Sequence, residues 1–394
     1  MSADSVTASP EAPERGGGTI LSALSVGTPS AGVQKPLSSG RLPCVDGWRA
    51  ISIAMVLGAH STAMAGFPSQ WYTAFKWAFD GNLGVRFFFV ISGFLITFLM
   101  VQEQHKNGSV SLRKFYLRRA LRILPVYYAF ILVVFGLSWC GRFHQSQTAW
   151  LGNLTFTTDF VHAPWTTEHL WSLSVEEQFY VIWPTLFVLL TRFSRGRNLA
   201  CYVLAVPIVV APVWRAAYYK LWFASLLGRF FGPFTFFGYF DSLAIGCLAA
   251  FLLAKYKYEL SRLFSARFWL ILGSAVTLIA IPHVLARWFR VCGFTVSLGP
   301  SFQATGGAIL LLMGVLTPRR FWFLEWPWVQ KIGILSYSIY IWQQIFCSPP
   351  ADYGLSNAWW LSFPWWLLVV LTVAACSYYG LEKPVMGLRA RFRS

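Results

Sequence analysis

Two ionisable residues stand out in the first apolar segment of the chain. Arg49 and His60 are separated by ten residues, nearly all of them apolar. An α-helix turns about 100° and rises about 1.5 Å per residue, so both side chains share one helix face, about 16 Å apart. An imidazole accepts and returns protons near neutral pH, whereas a guanidinium stays charged and binds anions. The spacing therefore predicts a catalytic base at one level of a helix and an anion-binding group at another.

The composition is that of a membrane protein. Of 394 residues, 56% are hydrophobic and only 12% are charged, with 20 Trp and 35 Phe. Ordinary soluble domains do not have this composition, and ionisable groups inside such a chain mark function by default. We predict an all-α, polytopic integral membrane bundle of about ten transmembrane helices. The predicted spans cover residues 48–66, 83–102, 123–140, 169–191, 199–217, 235–254, 268–286, 300–316, 332–348 and 361–381.

The excess of basic residues follows from membrane topology. The formal net charge is +17. If the N-terminus is cytoplasmic, the loops on that side carry most of the Lys and Arg residues, as the positive-inside rule requires. We therefore predict cytoplasmic termini, a lipid bilayer as the surroundings, and no nucleic-acid partner. The aromatic stretch 214–238, which charges and a proline interrupt, is predicted to be interfacial or re-entrant.

The chain divides into three predicted regions. Residues 1–40 are rich in Ser, Gly, Pro and Ala and are predicted to be a disordered cytoplasmic tail, not a cleavable signal. Residues 41–386 form the transmembrane domain, and residues 387–394 a basic cytoplasmic C-terminus. The seven cysteines are scattered singly, so we predict neither a disulfide framework nor a metal site.

Several further ionisable residues fall at the predicted outer level of the spans. Arg86 begins the second span at a depth similar to that of His60. His169 and Glu176 are two helical turns apart and share a face, whereas Glu177 is turned about 100° away. Asp241 opens the sixth span from the same side.

Each of these residues also has a structural interpretation. Arg86 and His169 lie near helix ends, where long or polar side chains reach the headgroups. Glu177 is more simply a partner for a basic residue. A cytoplasmic basic run is typical of a headgroup-binding patch, and it is equally suited to phosphates. That run contains Arg113, Lys114, Arg118, Arg119 and Arg122. The residues alone fit either an acyltransferase with a phosphorylated cytosolic donor or a proton-coupled transporter.

Seven motifs, in order, resemble the membrane-bound acyltransferase family 3, bacterial enzymes that acylate surface and exported glycans. Arg49 and His60 match the family's R-x10-H signature. The resemblance covers about residues 41–386. The seven motif segments are 41–51, which begins the signature, and 88–96, 118–125, 171–180, 241–246, 335–343 and 382–384. Tyr239 departs from the pattern, because many members have an arginine two residues before the aspartate.

The resemblance implies a multi-pass protein of the bacterial inner membrane with acyl-CoA, expected to be acetyl-CoA, as donor and no permanently bound cofactor. Transfer would be to a hydroxyl, usually of a sugar in a surface, exported or lipid-linked glycan such as an exopolysaccharide or lipopolysaccharide, with possible glycan-assembly partners. A small-molecule acceptor such as a macrolide sugar and a proton-coupled transporter are the alternatives.

Combining the residue chemistry with the resemblance assigns a role to each residue. His60 is the predicted base, Glu176 its orienting or charge-stabilising partner, and Arg86 the group that stabilises the oxyanion. An acyl-histidine intermediate is a variant of this mechanism. The predicted donor-binding residues are Arg49, Arg118, Arg119 and Arg122. The predicted acceptor-binding residues are His169, Asp241 and Trp171.

Overall fold

The computed structural model describes residues 42–192, 196–222, 234–288, 292–347 and 358–388. The predicted tail, residues 1–40, lies outside these ranges. So do residues 389–394 of the basic C-terminus and residues 223–233 of the stretch predicted to be interfacial or re-entrant.

The described residues form helices and turns, with no strand among them. The long helices coincide with the apolar runs of the sequence, and the α-helices are numbered in chain order. They are α1 (Pro43–Ser61), α2 (Tyr72–Ala78), α3 (Gly81–Asn107), α4 (Leu112–Trp139), α5 (Gln147–Thr155), α6 (Trp165–Glu168), α7 (Leu170–Thr191), α8 (Gly196–Ala217), α9 (Phe236–Ala266), α10 (Phe268–Trp288), α11 (Cys292–Ser297), α12 (Gly299–Leu316), α13 (Pro327–Phe346), α14 (Trp365–Ser377) and α15 (Lys383–Gly387).

Eight helices within the described ranges are long and apolar enough to cross a membrane. The other two predicted spans, 48–66 and 332–348, correspond to α1 and α13, which are 19 and 20 residues long. At 1.5 Å per residue each is about 30 Å long, close to the thickness of the hydrocarbon core. The predicted all-α, polytopic membrane bundle is confirmed, and the protein is a multi-pass membrane protein.

Helix α1, which carries Arg49 and His60, packs between α3 and α13. Its contact with α13 is close because Gly333 has no side chain. A Cβ atom added to Gly333 would overlap the backbone of Asp46. Small residues at helix contacts allow such close approach in membrane proteins. Helix α1 is therefore held on two sides along the length that separates its arginine from its histidine.

Helices α3 and α9 make the most extensive helix contact, through two glycines. A Cβ atom on Gly93 would overlap the carbonyl oxygen of Leu243, and one on Gly246 would overlap that of Val90. Each glycine thus faces the backbone of the other helix, and no larger residue fits without separating them. This contact fixes α3, whose residues line both of the cavities described next.

Candidate active site

Two cavities lie at different levels of the bundle. The arginine cavity has a volume of about 80 Å³ and is lined by Arg49, Arg119, Arg122 and Glu176, among others. The histidine cavity has a volume of about 300 Å³ and is lined by His60, Asp80, Glu168, His169 and Trp171, among others. Both are also lined by Val85 and Tyr340, so the two cavities meet at these side chains.

The arginine cavity has the composition of an anion-binding site. Helix α1 contributes Arg49, α4 contributes Arg119 and Arg122, and α7 contributes Glu176. The Arg119 guanidinium lies 3.9 Å from the ring centre of Tyr180. Three guanidinium groups outnumber the single carboxylate, and guanidinium forks bind phosphate oxygens in pairs. The structure thus brings together three of the four arginines predicted to bind the donor.

The structure places Arg118, the fourth, outside this cavity, and its role in donor binding stays a prediction. Its Nη2 atom lies 3.1 Å from Oε2 of Glu103, and 45% of the Arg118 side chain is exposed. Arg118 does not line the arginine cavity. An ion pair this exposed contributes little to stability. Arg118 therefore belongs to the surface of the bundle, beside the cavity-lining arginines in sequence but not in space.

In the histidine cavity, amide groups hold His60. Nδ1 of His60 lies 2.7 Å from Oε1 of Gln343, whose Nε2 donates to Oε1 of Gln344 at 3.0 Å. The amide of Gln344 in turn donates to the carbonyl of Trp165 at 2.9 Å. Because the Gln343 oxygen is the acceptor, His60 carries its proton on Nδ1. Nε2 is then the basic nitrogen, as a general base requires.

The structure does not bring His60 and Glu176 into the same cavity, and their predicted pairing stays a prediction. Glu176 lines the arginine cavity and not the histidine cavity, and Nδ1 of His60 contacts Gln343 and, at 3.7 Å, the thiol of Cys347. Gln343 lies within one of the motifs of the sequence, but the pattern gave it no role. The group nearest Nδ1 is thus a neutral amide.

His169 and Trp171, both predicted to bind the acceptor, line the histidine cavity. His169 is only 5% exposed, so its side chain does not extend to the lipid headgroups. Its Nε2 atom donates to the carbonyl oxygen of Ile341 at 3.0 Å, and its Nδ1 atom is buried without a hydrogen-bond partner. Trp171 packs against Tyr239, with ring centres 4.9 Å apart. The structure therefore brings both residues together in the wall of the histidine cavity.

Asp241, also predicted to contact the acceptor, is placed in the packed interior instead. Its side chain is fully buried, and Oδ2 accepts hydrogen bonds from Arg215 at 2.9 Å and Ser301 at 2.5 Å. Oδ1 accepts from the backbone of Ser242 at 2.8 Å. Asp241 lines neither cavity. Asp241 thus forms a buried ion pair with Arg215 that joins α9 to α8, and its hydrogen bond with Ser301 adds α12. Its contact with the acceptor stays a prediction.

Arg86, the predicted oxyanion group, also lines neither cavity. Its Nη1 atom donates to Oε1 of Gln303 at 2.5 Å, and the guanidinium lies 5.2 Å from the ring centre of Tyr239. Nε2 of Gln303 is 3.1 Å from Nδ1 of His283, whose Nε2 atom is 2.7 Å from Oδ2 of Asp80. Arg86 therefore lies at the buried end of a polar chain that reaches the histidine cavity at Asp80, and its role as the oxyanion group stays a prediction.

Sequence reasoning missed Asp80, Gln303 and His283. Asp80 precedes Gly81-Asn82 at the start of an apolar run, which is a recognisable helix-cap position. Gln303 and His283 are single polar residues in apolar spans, and that is the signal that would have pointed to them.

Comparison with known proteins identifies the family of the chain. A family model described as an acyltransferase domain matches residues 42–381. The chain belongs to this acyltransferase family, and the resemblance read from the motifs is confirmed. No solved structure shows a significant match to the chain.

Several characterised sequences are similar to this chain. The O-acetyltransferase OatA of Staphylococcus aureus is 27% identical over 334 residues, which cover 79% of this chain and 51% of OatA. YrhL of Bacillus subtilis is 25% identical over 382 residues, covering 87% of this chain and 55% of YrhL. The peptidoglycan O-acetyltransferase OatA of Listeria monocytogenes is 28% identical over 193 residues, covering 45% of this chain and 29% of that protein. The chain thus spans about half the length, or less, of these relatives.

Proposed function

We propose that this protein transfers an acyl group, expected to be acetyl, from acyl-CoA to a sugar hydroxyl of a bacterial envelope glycan. The observation that carries the proposal is the meeting of two unlike cavities at Val85 and Tyr340. One has the charge to hold a phosphorylated donor, and the other has a base for a hydroxyl. The names of the relatives OatA, which describe O-acetyltransferases, support the same reaction, and one of them names peptidoglycan.

The donor is proposed to enter at the arginine cavity. The distribution of Lys and Arg along the chain puts this end of the bundle in the cytoplasm, where acyl-CoA is made. Arg49, Arg119 and Arg122 would bind its phosphate groups. The small volume of the cavity suits the thin pantetheine arm, which would carry the thioester towards Val85 and Tyr340. The protein would then reside in the cytoplasmic membrane, with both termini inside.

The acceptor is proposed to enter the histidine cavity from the other side of the membrane. Nε2 of His60 takes the proton from the acceptor hydroxyl as its oxygen attacks the thioester carbonyl carbon. The tetrahedral intermediate then collapses, the carbon–sulfur bond breaks, and His60 returns the proton to the leaving thiolate. The products are a sugar ester and free CoA thiol, with no net proton change. Gln343 keeps Nε2 available throughout by holding the other nitrogen.

The proton-coupled transporter has less support from the same contacts. A proton relay needs a chain of groups that titrate. The shortest hydrogen bond of His60 leads instead through Gln343 and Gln344 to a backbone carbonyl, and amides do not titrate near neutral pH. The other contact of Nδ1 is with the thiol of Cys347, at 3.7 Å.

The proposal is tested in cells that lack this protein and are complemented with the wild type or with His60→Ala at equal membrane levels. Esters are released from purified peptidoglycan and other envelope glycans by mild base, and the freed acid is identified. We expect the wild type to restore the ester and His60→Ala not to. His105→Ala is the control, because His105 is exposed and lines neither cavity.

A parallel assay supplies radiolabelled acetyl-CoA to membranes and follows label into the glycan. Label in the glycan would identify the donor. If no glycan ester depends on the protein, the proposed reaction is wrong and the search moves to small-molecule acceptors or to transport.

A further inference from the structure

Asp80 places a carboxylate in the wall of the histidine cavity. It is the N-cap residue of α3, and Oδ1 accepts hydrogen bonds from the backbone amides of Asn82 at 2.8 Å and Leu83 at 3.2 Å. About 31% of its side chain remains accessible. Each carboxylate oxygen accepts more than one hydrogen bond. Asp80 therefore keeps acceptor capacity on the side that faces the cavity.

A chain of polar contacts fixes the other oxygen of Asp80. Arg86 can only donate, so Oε1 of Gln303 is the acceptor, and Nε2 of Gln303 lies 3.1 Å from Nδ1 of His283. Nδ1 of His283 is also 3.3 Å from the carbonyl oxygen of Ile279, and Nε2 of His283 donates to Oδ2 of Asp80 at 2.7 Å. The chain holds the carboxylate in a single orientation without neutralising it by direct contact with a guanidinium.

A second acceptor in the same cavity has no partner. His169 is 5% exposed, and because Nε2 donates to a carbonyl, its Nδ1 atom is an unpaired acceptor. The lining also contains Glu168, a second carboxylate. Within the described part of the chain, no Lys or Arg lines this cavity. Its unused polar capacity thus consists mainly of hydrogen-bond acceptors, and its charge is negative.

We propose that the histidine cavity selects an uncharged sugar ring, whose hydroxyl groups donate to Asp80 and His169, and that Asp80 positions the ring for attack. The inference rests on the proposed function and adds the class of acceptor. The hydroxyl groups of a sugar can donate hydrogen bonds to these two acceptors. An anionic substituent close to the reacting hydroxyl would face two carboxylates in a poorly hydrated space, where like charges repel strongly.

The test compares two ligands that differ by one charge. They are the methyl glycoside of N-acetylmuramic acid and its lactyl carboxamide, which have the same ring hydroxyls. Each is used as an inhibitor of acyl transfer to isolated glycan strands, with detergent-solubilised full-length protein. For the wild type we expect the carboxamide to inhibit on the order of 10-fold more strongly than the acid, since one like-charge contact is avoided.

Asp80→Asn removes the charge but keeps a good helix cap. We expect this variant to bind the carboxamide about 10-fold more weakly, because a charge-assisted hydrogen bond becomes a neutral one. Its preference for the carboxamide over the acid should shrink towards equality, while the KM for acyl-CoA stays unchanged. A general folding defect would not change the ratio of the two inhibition constants. Glu259→Gln is the matched control, because Glu259 is exposed and lines neither cavity.

The outcomes separate the inference from the proposed function. If the wild type transfers acyl groups to glycan but binds acid and carboxamide equally, or binds neither, the inference is overturned and the proposed function stands. An unchanged ratio in Asp80→Asn also overturns it. If the wild type transfers nothing to any glycan, the proposed function fails and the inference fails with it.

Discussion

The arginine cavity and the histidine cavity differ in charge, size and the way in which their key groups are held. The smaller one is positive, and its guanidinium groups face a carboxylate and an aromatic ring. The larger one is negative, and its base is held by neutral amides. A group that binds anions keeps its charge next to a counter-charge, whereas the amide that holds His60 is neutral and leaves the imidazole able to take up and release a proton. The contrast indicates that donor binding and proton transfer are separated in space.

The largest expected effect comes from removing the base. His60→Gln keeps a polar side chain at the position but cannot take a proton. We expect kcat for acyl transfer to fall by about 10²–10⁴-fold, the usual contribution of general base catalysis, with affinity for CoA unchanged. Titration with a fluorescent CoA analogue beside the transfer assay checks both values. A parallel loss of CoA affinity would show that the two cavities are not separate in function.

A second change addresses the other cavity. Arg122→Gln removes one of three guanidiniums, and we expect the Kd for CoA to rise about 10–100-fold, as for loss of a charged hydrogen bond. Inhibition by the muramic carboxamide should not change. Arg118→Gln is the matched control on the same helix, because Arg118 lies outside the cavity and pairs with Glu103. If Arg118→Gln weakens CoA binding as much as Arg122→Gln does, the conclusion that Arg118 lies outside the CoA-binding site is wrong.

A change in the contact between α3 and α9 should affect both cavities together. In Gly246→Ala the new methyl group meets the backbone of α3 at Val90, so α3 and α9 must separate. We expect a loss of about 1–3 kcal/mol in the free energy of unfolding, and parallel weakening of CoA and carboxamide binding. Gly136→Ala, a glycine inside α4 with open space around it, should be neutral or stabilising by up to about 1 kcal/mol. Unfolding in detergent measures the difference.

The last effect is a pH dependence of stability that arises outside the membrane-spanning helices. Asp159 is 7% exposed and accepts hydrogen bonds from Gln178 of α7 and from the backbone of Phe236 at the start of α9. Burial raises the pKa of Asp159 from 3.8 to about 6. The folded state therefore binds the proton more tightly than the unfolded state does. Its contribution to the free energy of unfolding rises as pH falls from about 7 to 4, by at most about 3 kcal/mol.

Replacing Asp159 with Asn should flatten this part of the pH profile. Thermal unfolding in detergent between pH 5 and 8 checks it, with Glu259→Gln as control. A pH profile of Asp159→Asn as steep as that of the wild type would contradict this expectation.

The sequence predicted those features that depend on one helix at a time. Spans, and the common face of Arg49 and His60, follow from composition and from the helical repeat. Contacts between helices do not: Gln343 lies 283 positions from His60, and no periodicity connects them. The helical repeat also does not separate Arg118 from Arg119, because Arg122 is one turn from both. Only the packing of α4 against its neighbours decides which of the two lines the cavity.

The fixed length of helix α1 between Arg49 and His60 has a consequence for the choice of donor. Arg49 and His60 sit on one rigid helix that α3 and α13 clamp, with Gly333 against its backbone. Their separation of about 16 Å therefore cannot adjust to the ligand. A donor would be chosen by the length between its phosphates and its thioester as well as by its charge. Inserting one residue into α1 between Arg49 and His60 would increase their distance along the helix by only about 1.5 Å. It would also rotate one side chain relative to the other by about 100° about the helix axis.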